Sequence, residues 1–322
     1  MKEDKFHLIT KNLEEILGIE DLKKLLRTKK KLVHYIGFEL SGLLHLGSGL
    51  SLMMKVVDFI QAGVKCHIFL ADWHTWINEK LDGRLETIKD IGVGYFKEGF
   101  KICLESLGVE SRKVDFILGS DLYHNADGYW LTVIEIAKNV TLARNLRSVD
   151  ILGRQAGEGI DMAKLIYPLM QVADIFYLGV NLAHAGMDQR KAHVIAIDVA
   201  KSIGEEKPIA LHNHLLLGLQ KPPKYPLTKE EIKEMRVELK MSKSKPETCI
   251  FIHDSPEDIE RKIIKAFCPP QDTLYNPVLD WAYWFLLPLK EEIKIKTTKG
   301  TIKKFSVENR DELLKDYEQG LI

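Results

Sequence analysis

Two stretches of the sequence carry residue types suited to gripping phosphate. The first, Tyr35-Ile36-Gly37-Phe38-Glu39-Leu40-Ser41-Gly42-Leu43-Leu44-His45-Leu46-Gly47-Ser48, runs from a β-rich segment through a glycine-punctuated turn to the start of a helical pattern. Glycine removes the Cβ obstacle, backbone N–H groups at a helix start favour an anion, and His45 can donate a hydrogen bond to a phosphate oxygen. An ordinary strand-to-helix loop has the same outline. The second, Lys240-Met241-Ser242-Lys243-Ser244-Lys245, sets three lysines among hydroxyl residues. Such a composition suits a mobile cationic loop that clamps a polyphosphate, and a solvated turn equally well. Together the two stretches are more specific than either alone.

A third constellation is Tyr167-Pro168-Leu169-Met170-Gln171-Val172-Ala173-Asp174. Tyr167, Gln171 and Asp174 fall at i, i+4 and i+7, on one face of a helix. The apolar neighbours Ile166, Met170 and Ile175 indicate that this helix is largely buried. Buried polar groups demand partners, and a ligand can supply them. A fourth stretch, Asp188-Gln189-Arg190-Lys191-Ala192-His193, opens another helix with a basic terminus of the kind that is usually just solvated. His212 and His214 alternate along an expected strand, but without a third ligand no metal site is expected. The lysine clusters 29–31 and 294–304 fit surface solubility better than phosphate contact.

Alternating elements must position these groups. β-rich runs at His34–Glu39, Cys66–Ala71 and Val114–Leu118 are each followed by a helical pattern, the first from Gly47, which predicts a parallel α/β sheet. Leu50, Met53, Met54 and Val57 recur at helical spacing and supply an apolar face. Further helices are expected at Tyr129–Val149, Ala163–Leu178 and Gln189–Ile203, and strands at Val180–Ala183 and Leu211–Leu217. The polar, proline- and lysine-rich stretch Gln220–Glu238 reads as an exposed excursion between a domain of residues 1–219 and one of 220–322. Beyond it, Ser255-Pro256-Glu257-Asp258 starts a helix with a hydroxyl cap, a first-turn proline and acids at the positive end of the dipole, and the tail reads as helix plus short strands.

Composition bounds the rest. The 322 residues include 46 basic and 46 acidic side chains, with 45% hydrophobic and 29% charged residues, which excludes disorder, collagen-like repetition and a membrane-spanning protein. Cys66, Cys103, Cys249 and Cys268 are scattered without a CxxC pair, so neither a zinc site nor a disulfide framework is suggested and a reducing cytosol fits best. Met1–Thr10 lacks the continuous apolar stretch of a signal peptide.

His45-Leu46-Gly47-Ser48 followed by Lys240–Ser244 resembles the HIGH and KMSKS signature pair of the class I aminoacyl-tRNA synthetases. The segments 35–47, 69–78 (FLADWHTWIN), 166–180 (IYPLMQVADIFYLGV) and 185–193 (AGMDQRKAH) are similar to tyrosyl-tRNA synthetases of the archaeal and eukaryotic branch. The resemblance implies a Rossmann-like α/β catalytic domain, including a dimer-interface insertion, followed by a smaller, mainly helical anticodon-binding domain. It implies ATP as substrate with accompanying Mg²⁺ and no protein-bound metal. The catalytic residues would be His45, Ser48, Lys240 and Lys243, with Gly37, Gly47, Met241 and Ser242 completing the ATP contacts. Tyr35 and Asp174 would hydrogen-bond the phenolic hydroxyl of L-tyrosine, Tyr167, Gln171 and Gln189 would hold its α-amino end, and His74 would line the pocket. Arg190 and Lys191 would lie near the acceptor end of tRNA(Tyr), Phe285 would stack on an anticodon base, and a cytoplasmic homodimer would form through the Tyr129–Val149 region.

Two departures stand out. Ser48 replaces a histidine found in many members, which leaves His45 the surer phosphate ligand. The sequence ends at Ile322, where archaeal relatives usually continue through a His-Pro turn, so the C-terminal domain is expected to be truncated and anticodon discrimination weakened. The rivals are a tryptophanyl-tRNA synthetase, against which the Tyr35 and Asp174 pair argues, a nucleotidylyltransferase sharing only the histidine turn, and a non-catalytic synthetase-derived RNA-binding protein. Retention of His45, Lys240 and Lys243 speaks against the last.

Overall fold

The computed structural model describes residues 4–153 and 159–322. The chain divides into two compact units, Met1–Gly42 with Met53–Asn213, and Leu43–Leu52 with His214–Ile322. The sequence placed a boundary at 219/220; the units divide at 213/214, and the second also takes in the short histidine-bearing turn.

The first unit is built on a six-stranded sheet in the order β1-β6-β5-β2-β3-β4. Its strands are β1 (Glu15–Leu17), β2 (Val33–Phe38), β3 (Lys65–Leu70), β4 (Val114–Leu118), β5 (Leu182–Gly186) and β6 (Ile209–Asn213). All neighbours are parallel except β1, which runs antiparallel to β6. The central strands are buried nearly throughout, as expected of parallel strands covered on both faces. Strands β2, β3 and β4 lie within one residue of the predicted runs, whereas β5 lies two to three residues later than expected and β6 begins two and ends four residues earlier. The three-residue β1 was not foreseen, because it is too short to show a period.

Helix Met162–Tyr177 is the axis of this unit. Asp161 caps it, its carboxylate accepting Lys164 N–H at 2.9 Å, and ten of its sixteen residues are buried. Its Tyr167 packs with Tyr35, Phe69, Tyr123 and Tyr129 from other elements in one apolar cluster. The predicted helix at 129–149 is two helices, Asp127–Asn139 and Leu142–Ser148. The break is chemical: the Thr141 hydroxyl accepts Arg144 N–H at 3.3 Å and starts the second one afresh. The helical pattern expected from Gly47 begins at Leu50 and runs to Gln61.

In the second unit, residues 44–46 pair antiparallel with 250–252: Leu46 N–H donates to Ile250 C=O at 2.9 Å and Ile252 N–H to Leu44 C=O at 3.1 Å, flanking a His45/Phe251 bridge. The stretch read as an exposed excursion is partly packed. Leu227 and Leu239 are buried with Tyr275, and Thr228 with Glu231 forms a capping box for helix Lys229–Glu234. Helix Pro256–Ile264 begins as its sequence indicates, Ser255 Oγ accepting Asp258 N–H at 3.1 Å. The tail adds a hairpin, β7 (Glu292–Lys296) with β8 (Ile302–Ser306), and helix Arg310–Glu318, closed over Leu287, Phe305 and Leu313.

Candidate active site

Asp174 sits fully buried on helix Met162–Tyr177. Its Oδ1 accepts hydrogen bonds from Tyr123 and Tyr129, each at 3.0 Å, and its Oδ2 takes a longer one from Tyr35 at 3.4 Å. Burial pushes the carboxyl up to about 8, against the downward pull of the three hydroxyls. Burial and the nearby carboxylate in turn hold all three phenols well above their ordinary range. His74 completes the group, with Nδ1 at 3.5 Å from the Tyr123 hydroxyl and its ring edge-on to Tyr167 at 4.5 Å. Burial pushes its imidazole down to about 3, so it is neutral. Tyr35, Asp174 and His74 were singled out in the sequence; Tyr123 and Tyr129 were not. Neither lies on the helix whose periodicity drew attention.

Next to this cluster is a polar end. Tyr167 donates to Glu39 Oε1 at 3.0 Å, and Asn78 Nδ2 reaches the same oxygen at 2.7 Å. Gln171 Nε2 donates to Gln189 Oε1 at 3.3 Å, and Gln189 Nε2 to the Ile151 carbonyl at 3.1 Å. Two buried atoms here, His74 Nε2 and Gln171 Oε1, have no hydrogen-bond partner, as expected where a ligand supplies one. Glu39 is a member that sequence reasoning passed over, although it lies within the quoted turn. Gly37, grouped by resemblance with the phosphate contacts, lies in β2 of the first unit. A Cβ there would stand 2.6 Å from the Tyr35 hydroxyl, so glycine leaves room for that ring two residues back on the same face.

The phosphate-gripping candidates gather in the second unit. His45 N–H donates to Ser48 Oγ and Ser48 N–H donates to His45 Nδ1, both at 3.3 Å. Because Nδ1 accepts, the neutral ring carries its proton on Nε2, the nitrogen left to donate. Neutrality follows from burial, reinforced by Lys243 and Lys240, which together push the imidazole down to about 3. A Cβ at Gly47 would stand 3.3 Å from His45 Nδ1 and 3.8 Å from Met241 Sδ. The loop is anchored at its start by Met241 N–H on the Leu216 carbonyl at 2.6 Å and by a Leu217/Lys240 bridge. His45, Gly47, Ser48, Lys240, Met241 and Lys243 are thus drawn from two separate stretches of this unit's sequence, with Ser242 between the last two.

The remaining candidates are held by charge or by burial. Arg190 Nε donates to Glu15 at 2.7 and 3.0 Å; Glu15 in turn bonds buried His212 at 2.9 Å, and His212 bonds His193 at 3.0 Å. Lys191 pairs with Asp150 and donates to the Arg147 carbonyl at 2.9 Å. His214 lies beyond the end of β6, in the second unit, against Asp280 at 2.6 Å, so it does not continue the face of His212. Among the described residues no three His, Cys, Asp or Glu are grouped to hold a metal. Phe285, expected to stack on a base, is only 8% exposed and offers no open face. The partly exposed rings of that turn are Tyr283 and Trp284, which flank the Arg310 guanidinium at 4.4 and 5.1 Å.

In the first unit a mostly parallel sheet carries a buried carboxyl ringed by phenols, and in the second a histidine turn pairs with the span that follows a lysine loop. The family of tRNA synthetases class I (W and Y) matches residues 27–322. A tyrosine–tRNA ligase of Pyrococcus abyssi is 56% identical over 291 residues, 87% of this chain and 77% of that protein. One from Thermococcus kodakarensis is 57% identical over 295 residues, 88% of this chain and 78% of that protein. A solved tyrosyl-tRNA synthetase from Pyrococcus horikoshii, complexed with L-tyrosine, superposes with a TM-score of 0.91 at 50% identity, covering 99% of this chain and 89% of that one. The chain belongs to the archaeal-type tyrosyl-tRNA synthetases of class I.

Proposed function

We propose that the phenol-lined pocket binds L-tyrosine and that the histidine turn and lysine loop bind ATP in the ligation of tyrosine to tRNA. Tyr35 and Asp174, with Tyr123 and Tyr129, face the phenolic hydroxyl; Tyr167, Gln171 and Gln189, with Glu39, hold the α-amino end; His74 packs beside them. The observation that carries the reading is the buried Asp174 carboxyl ringed by hydroxyls, with unpartnered polar atoms close by on His74 and Gln171. An indole offers this carboxyl no hydroxyl, and a phenylalanine ring leaves it without that partner.

In the first step the tyrosine carboxylate attacks the α-phosphorus of ATP, a new C(O)–O–P bond forms and the α–β bridge breaks, releasing pyrophosphate. In the second a terminal ribose hydroxyl of tRNA attacks the tyrosyl carbonyl and AMP leaves. Neither step calls for a covalent bond to the protein, which fits a site made of donors and cations in place of a nucleophile with its base. His45 Nε2–H, Ser48 and the ammonium groups of Lys240 and Lys243 offset charge on the phosphates, while Gly47, Met241 and Ser242 shape the cradle. Mg²⁺ accompanying ATP would be held by the nucleotide's phosphate oxygens and would help offset their charge.

Arg190 and Lys191 are the candidates for the acceptor end of tRNA. Leu131 and Ile134, both 57% exposed and three residues apart on helix Asp127–Asn139, leave apolar side chains on the surface of the first unit that suit a second copy of the chain. All four cysteines are free thiols, in keeping with a cytoplasmic setting. No helix among the described residues is long and apolar enough to cross a membrane.

Amino-acid-dependent ATP–pyrophosphate exchange, comparing tyrosine, tryptophan and phenylalanine, tests this directly. Exchange with tyrosine alone is expected; equal exchange with tryptophan would overturn the pocket assignment.

A further inference from the structure

Lys262 is buried, 5% exposed, on helix Pro256–Ile264, and no step of the reaction above uses it. Its ammonium donates to the Cys249 carbonyl at 2.9 Å and pairs with Asp254 Oδ2 at 2.6 Å. That same carboxylate oxygen accepts Phe251 N–H at 2.9 Å, and the ammonium lies 5.1 Å from the centre of the Phe251 ring. One ion pair, its ammonium buried and its carboxylate largely so, therefore grips both ends of the short span 249–251. This is the span on which the histidine turn hangs: Leu46 N–H bonds the Ile250 carbonyl, and His45 faces Phe251 across the bridge. On its other side, a single turn Pro246–Thr248 separates it from the lysine loop.

Burying an ammonium and a carboxylate is a poor way to gain stability, since apolar side chains of similar volume often do as well. What an apolar side chain cannot do is fix the direction of a carbonyl and an amide. We infer that Lys262, acting with Asp254, is a positioning residue for the phosphate site: it sets the span 249–251 and so the placing of His45 relative to Lys243. The inference rests on the reading of the histidine turn and lysine loop as the ATP site. In this role Lys262 acts through backbone groups, and its effect reaches ATP but not tyrosine.

The test is ATP–pyrophosphate exchange by the full chain carrying Lys262→Met, Lys262→Arg or Asp254→Asn, with tyrosine binding measured separately by equilibrium dialysis without ATP. Lys262→Met is expected to raise KM for ATP and lower kcat, for a combined loss of about ten- to a hundredfold in kcat/KM. Its tyrosine affinity should stay within about twofold of the parent. Lys262→Arg should recover part of the loss, and adding Asp254→Asn to Lys262→Met should cost little more, because both act through one span. Unchanged exchange in Lys262→Met would overturn the inference, as would an equal loss of tyrosine affinity, which would mark a general loosening of the fold. If Lys262→Met does not fold, Asp254→Asn and Lys262→Arg carry the same comparison. Lys243→Gln is the control for the underlying reading: normal exchange there would remove the phosphate site itself, whereas a loss there beside an intact Lys262→Met would remove the inference alone.

Discussion

The Tyr129 hydroxyl donates to Asp174 Oδ1 at 3.0 Å, reaching from helix Asp127–Asn139 to helix Met162–Tyr177. It shares that oxygen with Tyr123 and also lies 3.2 Å from the Met170 carbonyl. Tyr129→Phe removes a donor from a buried acceptor that water cannot reach. Such a loss costs about 1–3 kcal/mol, to be read as a lower midpoint in urea unfolding at unchanged slope. An unchanged midpoint would mean that the remaining hydroxyls satisfy Asp174 on their own.

Asp174 also gives stability a pH dependence of definite sign. Its carboxyl is held up at about 8 in the folded chain, against roughly 4 when unfolded. Between those values the folded state binds the proton and the unfolded state does not, so this group's contribution is full at low pH and is lost as pH rises through 8. Asp174→Asn abolishes the titration. The stability of the Asn variant relative to the parent should therefore climb between about pH 4 and pH 8 and level off above it, and a flat difference would contradict the buried, raised carboxyl. His45 and His74, pushed down to about 3, act in the opposite sense: their contribution is present above the unfolded imidazole value and is lost as pH falls below it.

Tyr35 makes the longest of the three phenolic contacts to Asp174, at 3.4 Å. A donor so loosely engaged is free to tighten on a ligand. Tyr35→Phe is expected to raise KM for tyrosine by about three- to tenfold while leaving KM for phenylalanine nearly unchanged, so that discrimination between them narrows. Exchange kinetics with the two amino acids would show this; an equal effect on both would assign Tyr35 to packing alone.

Ser48 and His45 lock one another through two reciprocal hydrogen bonds at 3.3 Å. Ser48→Ala deletes the hydroxyl acceptor but keeps the backbone N–H that fixes the imidazole tautomer. Adenylate formation in single-turnover experiments should slow by about three- to tenfold, against about a hundredfold for His45→Ala, which removes the donor itself. Equal losses would place the catalytic weight on the hydroxyl instead.

Much of this protein is legible in its sequence. Strands β2 to β4, the stripe of Tyr167, Gln171 and Asp174, and the Ser255 cap were all readable, because periodicity and capping are local and act within a few residues. The break at Thr141 is local too, but the apolar run through it hid the cap. The tertiary structure alone decided what surrounds the stripe. Tyr123 and Tyr129 converge on Asp174 from separate elements, and Glu39 meets Tyr167 across 128 positions of sequence. It also joined residues 43–52 to the C-terminal unit and buried Phe285. Single-residue chemistry names a donor, an acceptor or a cation, but which partner it finds, and whether water still reaches it, depends on contacts between segments whose sequences carry no record of one another.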